Sequence, residues 1–130
     1  MSKKAVLVTG GFDPIHKGHI EYLREAKKLG DILYVGLNSD HWLTRKKGKP
    51  FMDLENRAMV IQSLDMVDEV IIFNDEDNSS CHAIEQTLLF YDEVIFANGG
   101  DRLLSNIPEY EKYQNDKRAV SYTHLRAHET

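Results

Sequence analysis

Gly10-Gly11-Phe12-Asp13-Pro14-Ile15-His16-Lys17-Gly18-His19 follows the short apolar run Ala5-Val6-Leu7-Val8 and precedes a stretch in which Ile20, Leu23 and Ala26 share one helical face. So short an apolar run, ended by two glycines, reads as a buried strand. The segment therefore joins a strand to a helix through a glycine turn, where backbone N–H groups are open to an anion. Its spacing is neither the Gly-x-Gly-x-x-Gly of a dinucleotide fingerprint nor the Gly-Lys-Ser/Thr ending of a P-loop. It sets two imidazoles, His16 and His19, three residues apart at a helix start. At that spacing both rings can lie on one side of the first turn, beside its unpaired N–H groups and the positive end of its dipole. The expectation is an anion site with two adjustable donors. A pair of histidines can also be half of a zinc site, but zinc needs further ligands, and the other candidates before the C-terminal tail are His41, His82 and a single Cys81.

Working outward, short β-branched runs alternate with longer amphipathic ones, the pattern of βαβ units around a parallel sheet. A helix is expected from about His19 to Leu29 with Gly30 at its end, then a strand Ile32 to Leu37, a helix Leu54 to Leu64 and a strand Val70 to Phe73. A helix Ile84 to Tyr91 and a fourth strand Val94 to Ala97 follow. Right-handed crossovers would bring the C-terminal ends of all four strands, at Gly10, Asn38, Asn74 and Asn98, to the sheet edge where ligands bind in such folds. Arg45-Lys46-Lys47-Gly48-Lys49-Pro50 is expected as a mobile, positive loop. Asp75, Glu76 and Asp77 read as a solvated acidic turn, with Ser79 and Ser80 placed to cap the next helix.

The length of 130 residues suits one domain with its own core, and no apolar run approaches a membrane span. One cysteine makes no internal disulfide, so the composition reads as cytoplasmic, and no signal peptide is visible. A net charge of -5 argues against a general polyanion binder such as a nucleic-acid protein while leaving room for a local cationic pocket.

Gly10-Gly11-Phe12-Asp13-x-x-His16-x-Gly18-His19 resembles the signature of the cytidylyltransferase-like nucleotidyltransferases, a family that includes glycerol-3-phosphate cytidylyltransferase and the adenylyltransferase that forms ADP-heptose. Asn38-Ser39-Asp40, the lysine-rich loop, Glu55-Asn56-Arg57, Val67-Asp68-Glu69-Val70 and Asn98-Gly99-Gly100-Asp101 fall in the family's order, so the likeness covers about Lys4 to Glu109. The resemblance implies a Rossmann-like α/β fold and transfer of CMP from CTP to a phosphorylated small alcohol or sugar, with release of pyrophosphate. The alternatives are an adenylyltransferase using ATP on a heptose-type sugar phosphate, or a nucleotide-binding fragment without activity. A phosphate monoester is already largely dianionic near neutral pH and attacks the α-phosphorus without a general base, so positioning and charge stabilisation carry the reaction.

On this reading His16 and His19 donate to the triphosphate and Lys46 matches the family's mobile phosphate-contacting lysine, with Lys47 as its nearest rival. Gly10, Gly11, Phe12, Gly18, Arg57, Gly100 and Asp101 are expected around the nucleotide or its phosphates, Arg57 alternatively bracing the lysine loop. Asp13 and Asp40 are expected to orient the acceptor's hydroxyls or help hold Mg²⁺, which would arrive with the triphosphate; no dedicated metal cluster is expected. Family members are often dimers, so a homodimer is a further expectation.

Val120 to Thr130 reads as the translation of a transposase adapter used in sequencing libraries, which it resembles over eleven successive residues. Residues 1–119 are accordingly expected to form an incomplete nucleotide-binding catalytic domain and 120–130 a non-native tail left out of the fold reading.

Overall fold

A computed structural model of the protein describes residues 3–99 and 121–125. The chain runs β1 (Lys4–Gly10), α1 (Lys17–Lys27), β2 (Ile32–Leu37), α2 (Asp40–Lys47), α3 (Leu54–Gln62), β3 (Glu69–Ile72), α4 (Cys81–Leu88), β4 (Glu93–Gly99) and β5 (Ser121–Leu125). The strands form one parallel sheet in the order β3-β2-β1-β4-β5. β1 is central: Val8 pairs with Val35 on one side and with Ala97 on the other.

The alternation of β1 side chains explains why both faces are covered. Ala5 and Leu7 point to one face and pack with Val94, Phe96, Ala83, Ile84 and Leu88, which seats α4. Val6 and Val8 point to the other and meet Leu23 and Ala26 of α1 and Ile61 of α3. A strand buried on both faces needs the continuous apolar run seen here. At the N-terminal edge of the sheet, the Asp68 carboxylate bonds Lys27 Nζ and accepts the N–H of Leu33 at 2.7 Å. Burial pushes the Asp68 carboxyl up, but these bonds outweigh it and hold it below its ordinary value.

Three expectations change. The cationic segment is not wholly a loop, because Arg45, Lys46 and Lys47 form the last turn of α2. Ser39 Oγ accepts the N–H of Trp42 at 3.0 Å to start that helix, the three cations oppose the negative end of its dipole, and Gly48, at φ 88°, ends it. α1 begins at Lys17 instead of His19 because His16 itself caps it. A fifth strand, 121–125, lies inside the segment left out of the fold reading, where it pairs in parallel with the outer edge of β4. Its pairing gives β4's edge N–H and C=O groups partners they would otherwise lack.

Candidate active site

β1 delivers Gly10 and Gly11 to the C-terminal edge of the sheet, and α1 starts six residues later, so the intervening turn is held at both ends. A Cβ on Gly11 would stand 2.9 Å from Leu43 Cδ2, which shows how closely α2 approaches this turn. Phe12 takes a left-handed conformation, φ 51°, that buries its ring against Gly10 and edge-on to His19, with ring centroids 5.0 Å apart. Phe12 thus contributes a ring as well as backbone.

The two histidines form a reciprocal cap. His16 Nδ1 accepts the N–H of Gly18 at 3.1 Å, and His19 Nδ1 accepts the N–H of His16 at 3.2 Å. The rings stack with centroids 3.9 Å apart. An Nδ1 that accepts a hydrogen bond carries its lone pair there, so a ring bonded in this way donates through Nε2. Burial, with His16 adding to it, lowers the His19 pKa to about 4, so this imidazole is neutral at physiological pH. The result is two stacked rings at a helix N-terminus, each with its Nδ1 engaged by a backbone N–H and its Nε2 left to donate. Lys17 between them points to solvent, 70% exposed and 3.9 Å from Glu21.

Arg57, expected either against phosphate or as a brace for the lysine loop, is placed by the structure as a brace. Its side chain is fully buried and bonds the carbonyls of Met52, Gly11 and Asn38 at 3.0, 3.0 and 2.7 Å and Asp40 Oδ1 at 2.6 Å. It braces the ends of β1 and β2 and the segment before α3, and no face of the guanidinium reaches solvent. Asp13, expected to orient the acceptor, is turned inward with its side chain 1% exposed. Its Oδ1 accepts Met52 N–H at 2.5 Å, and its Oδ2 accepts Phe51 N–H at 2.6 Å and pairs with Lys47 Nζ at 2.7 Å. Burial raises the Asp13 carboxyl, but the Lys47 bond and the two N–H groups overcome it and hold the group below its ordinary value. Asp40 accepts from Arg57 and from Leu54 N–H at 3.2 Å, yet remains 42% exposed. Lys46 is exposed with its Nζ 4.8 Å from the centre of the Trp42 ring, while Lys47 is the cation held beside the histidine loop.

Asp75, read as part of a solvated turn, is 3% exposed. It accepts Asn38 Nδ2 at 3.0 Å and Ser39 N–H and Oγ–H each at 2.8 Å, while its own carbonyl accepts Arg45 Nη2 at 2.9 Å. The ends of β2 and β3 are thereby tied to α2. Ser80, placed as a cap, hydrogen-bonds Thr9 Oγ1 at 2.7 Å, and Ser79 Oγ accepts Cys81 N–H at 3.3 Å. Only the donors visible in the local pattern were recoverable from sequence; Asp75 gives no local signal because its partners lie 36 and 37 residues away. Gly100 and Asp101 lie outside the described residues, as does the side chain of Asn98. Among the described residues no group of three or more His, Cys, Asp or Glu side chains comes together as a metal site, and no helix is long and apolar enough to cross a membrane.

Comparison with known proteins matches this geometry to a family. The bifunctional protein HldE of Helicobacter pylori strain HPAG1 is 47% identical over 76 residues, which are 57% of this chain and 16% of that protein. HldE of Geobacter metallireducens is 48% identical over 77 residues, 58% of this chain and again 16% of the relative. The matched part is thus a small fraction of these longer proteins. Among solved structures, a lipopolysaccharide core biosynthesis protein from Thermoplasma volcanium superimposes with a TM-score of 0.76 at 28% identity, covering 98% of this chain and 99% of that one. A putative nicotinate-nucleotide adenylyltransferase from Vibrio parahaemolyticus shares the fold, with a TM-score of 0.66 at 15% identity over 96% of this chain and 74% of the other. Residues 7–124 match the cytidylyltransferase-like family model, and with the paired imidazoles at the strand-to-helix turn this places the chain in the cytidylyltransferase-like family of nucleotidyltransferases.

Proposed function

We propose that the chain transfers a nucleoside monophosphate from a nucleoside triphosphate to a phosphorylated sugar, with ATP the preferred nucleotide. The observation that carries the chemistry is the pair of stacked imidazoles at the α1 N-terminus, whose Nδ1 atoms are taken up by backbone N–H groups so that Nε2 is the atom left to donate. ATP is placed ahead of the CTP expected from sequence because the 47–48% identical relatives are HldE proteins, and the ADP-heptose-forming adenylyltransferase was among the resemblances of the histidine segment. The lipopolysaccharide core protein of the same fold supports a sugar acceptor over a simple alcohol.

A phosphate oxygen of the acceptor attacks the α-phosphorus, the bond from the α-phosphorus to the bridging oxygen breaks, and pyrophosphate leaves with that electron pair. No proton has to be removed from a dianionic phosphate. His16 and His19 donate Nε2–H to the triphosphate oxygens and strengthen those bonds as charge builds on them. Mg²⁺ enters with the triphosphate and neutralises charge on it.

The test is incubation of the chain with Mg²⁺, α-labelled ATP or CTP, and a panel of heptose, hexose and polyol phosphates. Label in a sugar-linked product, greater from ATP, supports the proposal. Transfer from CTP alone reverses the nucleotide assignment, and nucleotide binding without transfer to any acceptor leaves a binding domain only.

A further inference from the structure

Asp13 sits three residues before His16, and its carboxylate is more completely enclosed than a substrate-facing group would be. Its three side-chain partners all come from one short stretch: Lys47 at the end of α2, then the backbone N–H groups of Phe51 and Met52. Lys47 Nζ also donates to the Asp13 carbonyl at 2.7 Å. One aspartate therefore closes residues 47–52 into a strap against the histidine loop. Phe51 is 75% exposed although its backbone is held at 2.6 Å, so the strap is fixed by main-chain anchoring and not by burial of its own apolar side chain.

We propose that Asp13 is a positioning residue that latches this strap and so holds Lys47, in preference to Lys46, at the edge of the triphosphate site. The inference rests on the nucleotidyl-transfer reading for its ligand, while the latch itself is a property of the free protein. Electrostatics gives the proposal a distinctive sign. Removing an anion beside a polyanion site normally tightens binding, because a repulsion is lost. A latch predicts the reverse: Asp13→Asn releases the strap and weakens binding although a negative charge has gone.

The experiment compares the wild type, Asp13→Asn, Lys47→Met and the double variant by calorimetric titration with Mg²⁺ and inorganic tripolyphosphate, and by amide hydrogen exchange. In Asp13→Asn, binding should fall about tenfold, as for loss of one charge-assisted contact. Lys47→Met should fall as far, and the double variant no further, because the two act through one contact. The Phe51 and Met52 amides should exchange faster in Asp13→Asn and stay protected in Lys47→Met, where the carboxylate still accepts them. Unchanged or tighter tripolyphosphate binding by Asp13→Asn overturns the proposal, as does unchanged exchange of the two amides. If Asp13→Asn does not fold, Lys47→Met decides alone: lost binding with retained protection supports the latch, and retained binding overturns it. A wild type that takes up no tripolyphosphate rejects the nucleotidyl-transfer reading, and amide exchange then decides the latch by itself.

Discussion

On the proposed function, the contribution of His16 and His19 turns on which ring nitrogen is left to donate. Each Nδ1 is occupied by a backbone N–H, so each ring donates only through Nε2. His16→Ala and His19→Ala should each slow label transfer about a hundredfold, roughly 3 kcal/mol of transition-state stabilisation for one lost donor. His16→Asn separates the two duties of that residue. Asn is a good N-cap, so stability in urea should be near that of the wild type while turnover stays low. Recovered turnover in His16→Asn would assign the residue to capping alone. Acid provides a second check. His19 takes its proton near pH 6.5 when unfolded and only near pH 4 when folded, so the unfolded chain binds more protons between these values. Stability from this group is complete above about pH 6.5 and declines as the pH falls toward 4, by about 1–2 kcal/mol once its partial exposure is discounted. Urea midpoints at pH 7, 5.5 and 4.5 measure this, and a slope in that window unchanged by His19→Gln would sink it. The donors were legible in sequence because their spacing is local. The enclosure of Asp13 and Arg57 was not, because the partners of Asp13 lie 34 to 39 residues away and those of Arg57 come from three separate segments, the farthest 46 residues away.

At the level of elements, the pattern reading succeeded where apolar periodicity was unbroken and failed where charge obscured it. β2 spans Ile32–Leu37 as expected, since its residues alternate between two buried surroundings. α2 was hidden because a run of three cations followed by glycine looks like a loop; the Ser39 cap and the seating of Leu43 against Gly11 decide for helix. Arg57 is the bolt between these elements. Arg57→Met fills similar volume but leaves three carbonyls and Asp40 without their donor. Leaving these carbonyls without their donor, with the Asp40 carboxylate still reached by solvent, costs about 1–3 kcal/mol, visible as a lowered urea midpoint at unchanged slope. A loss below about 1 kcal/mol would mean that water replaces the guanidinium at these carbonyls.

Among the described residues the sheet ends at β3 on one side and at β5 on the other. Deleting residues 120–130 would uncover the outer edge of β4, whose N–H and C=O groups then seek another strand. The shortened protein should associate in a concentration-dependent manner during sedimentation, and a strictly monomeric product at all concentrations would show that β5 is dispensable. The central position of β1 has a further, kinetic consequence. β1 pairs with β2 at Ala5 and Ile32, but with β4 at Ala5 and Val94, so the second contact must close a far longer stretch of chain. Loop closure of that length slows assembly, whereas β1, β2 and β3 with α1 to α3 make shorter connections. The glycine turn, the two histidines, Asp13, Asp40 and Arg57 all belong to that half. This connectivity predicts that the glycine turn and its histidines take shape before β4 docks, which pulse-labelled amide exchange during refolding would read as earlier protection in β1 and β2 than in β4.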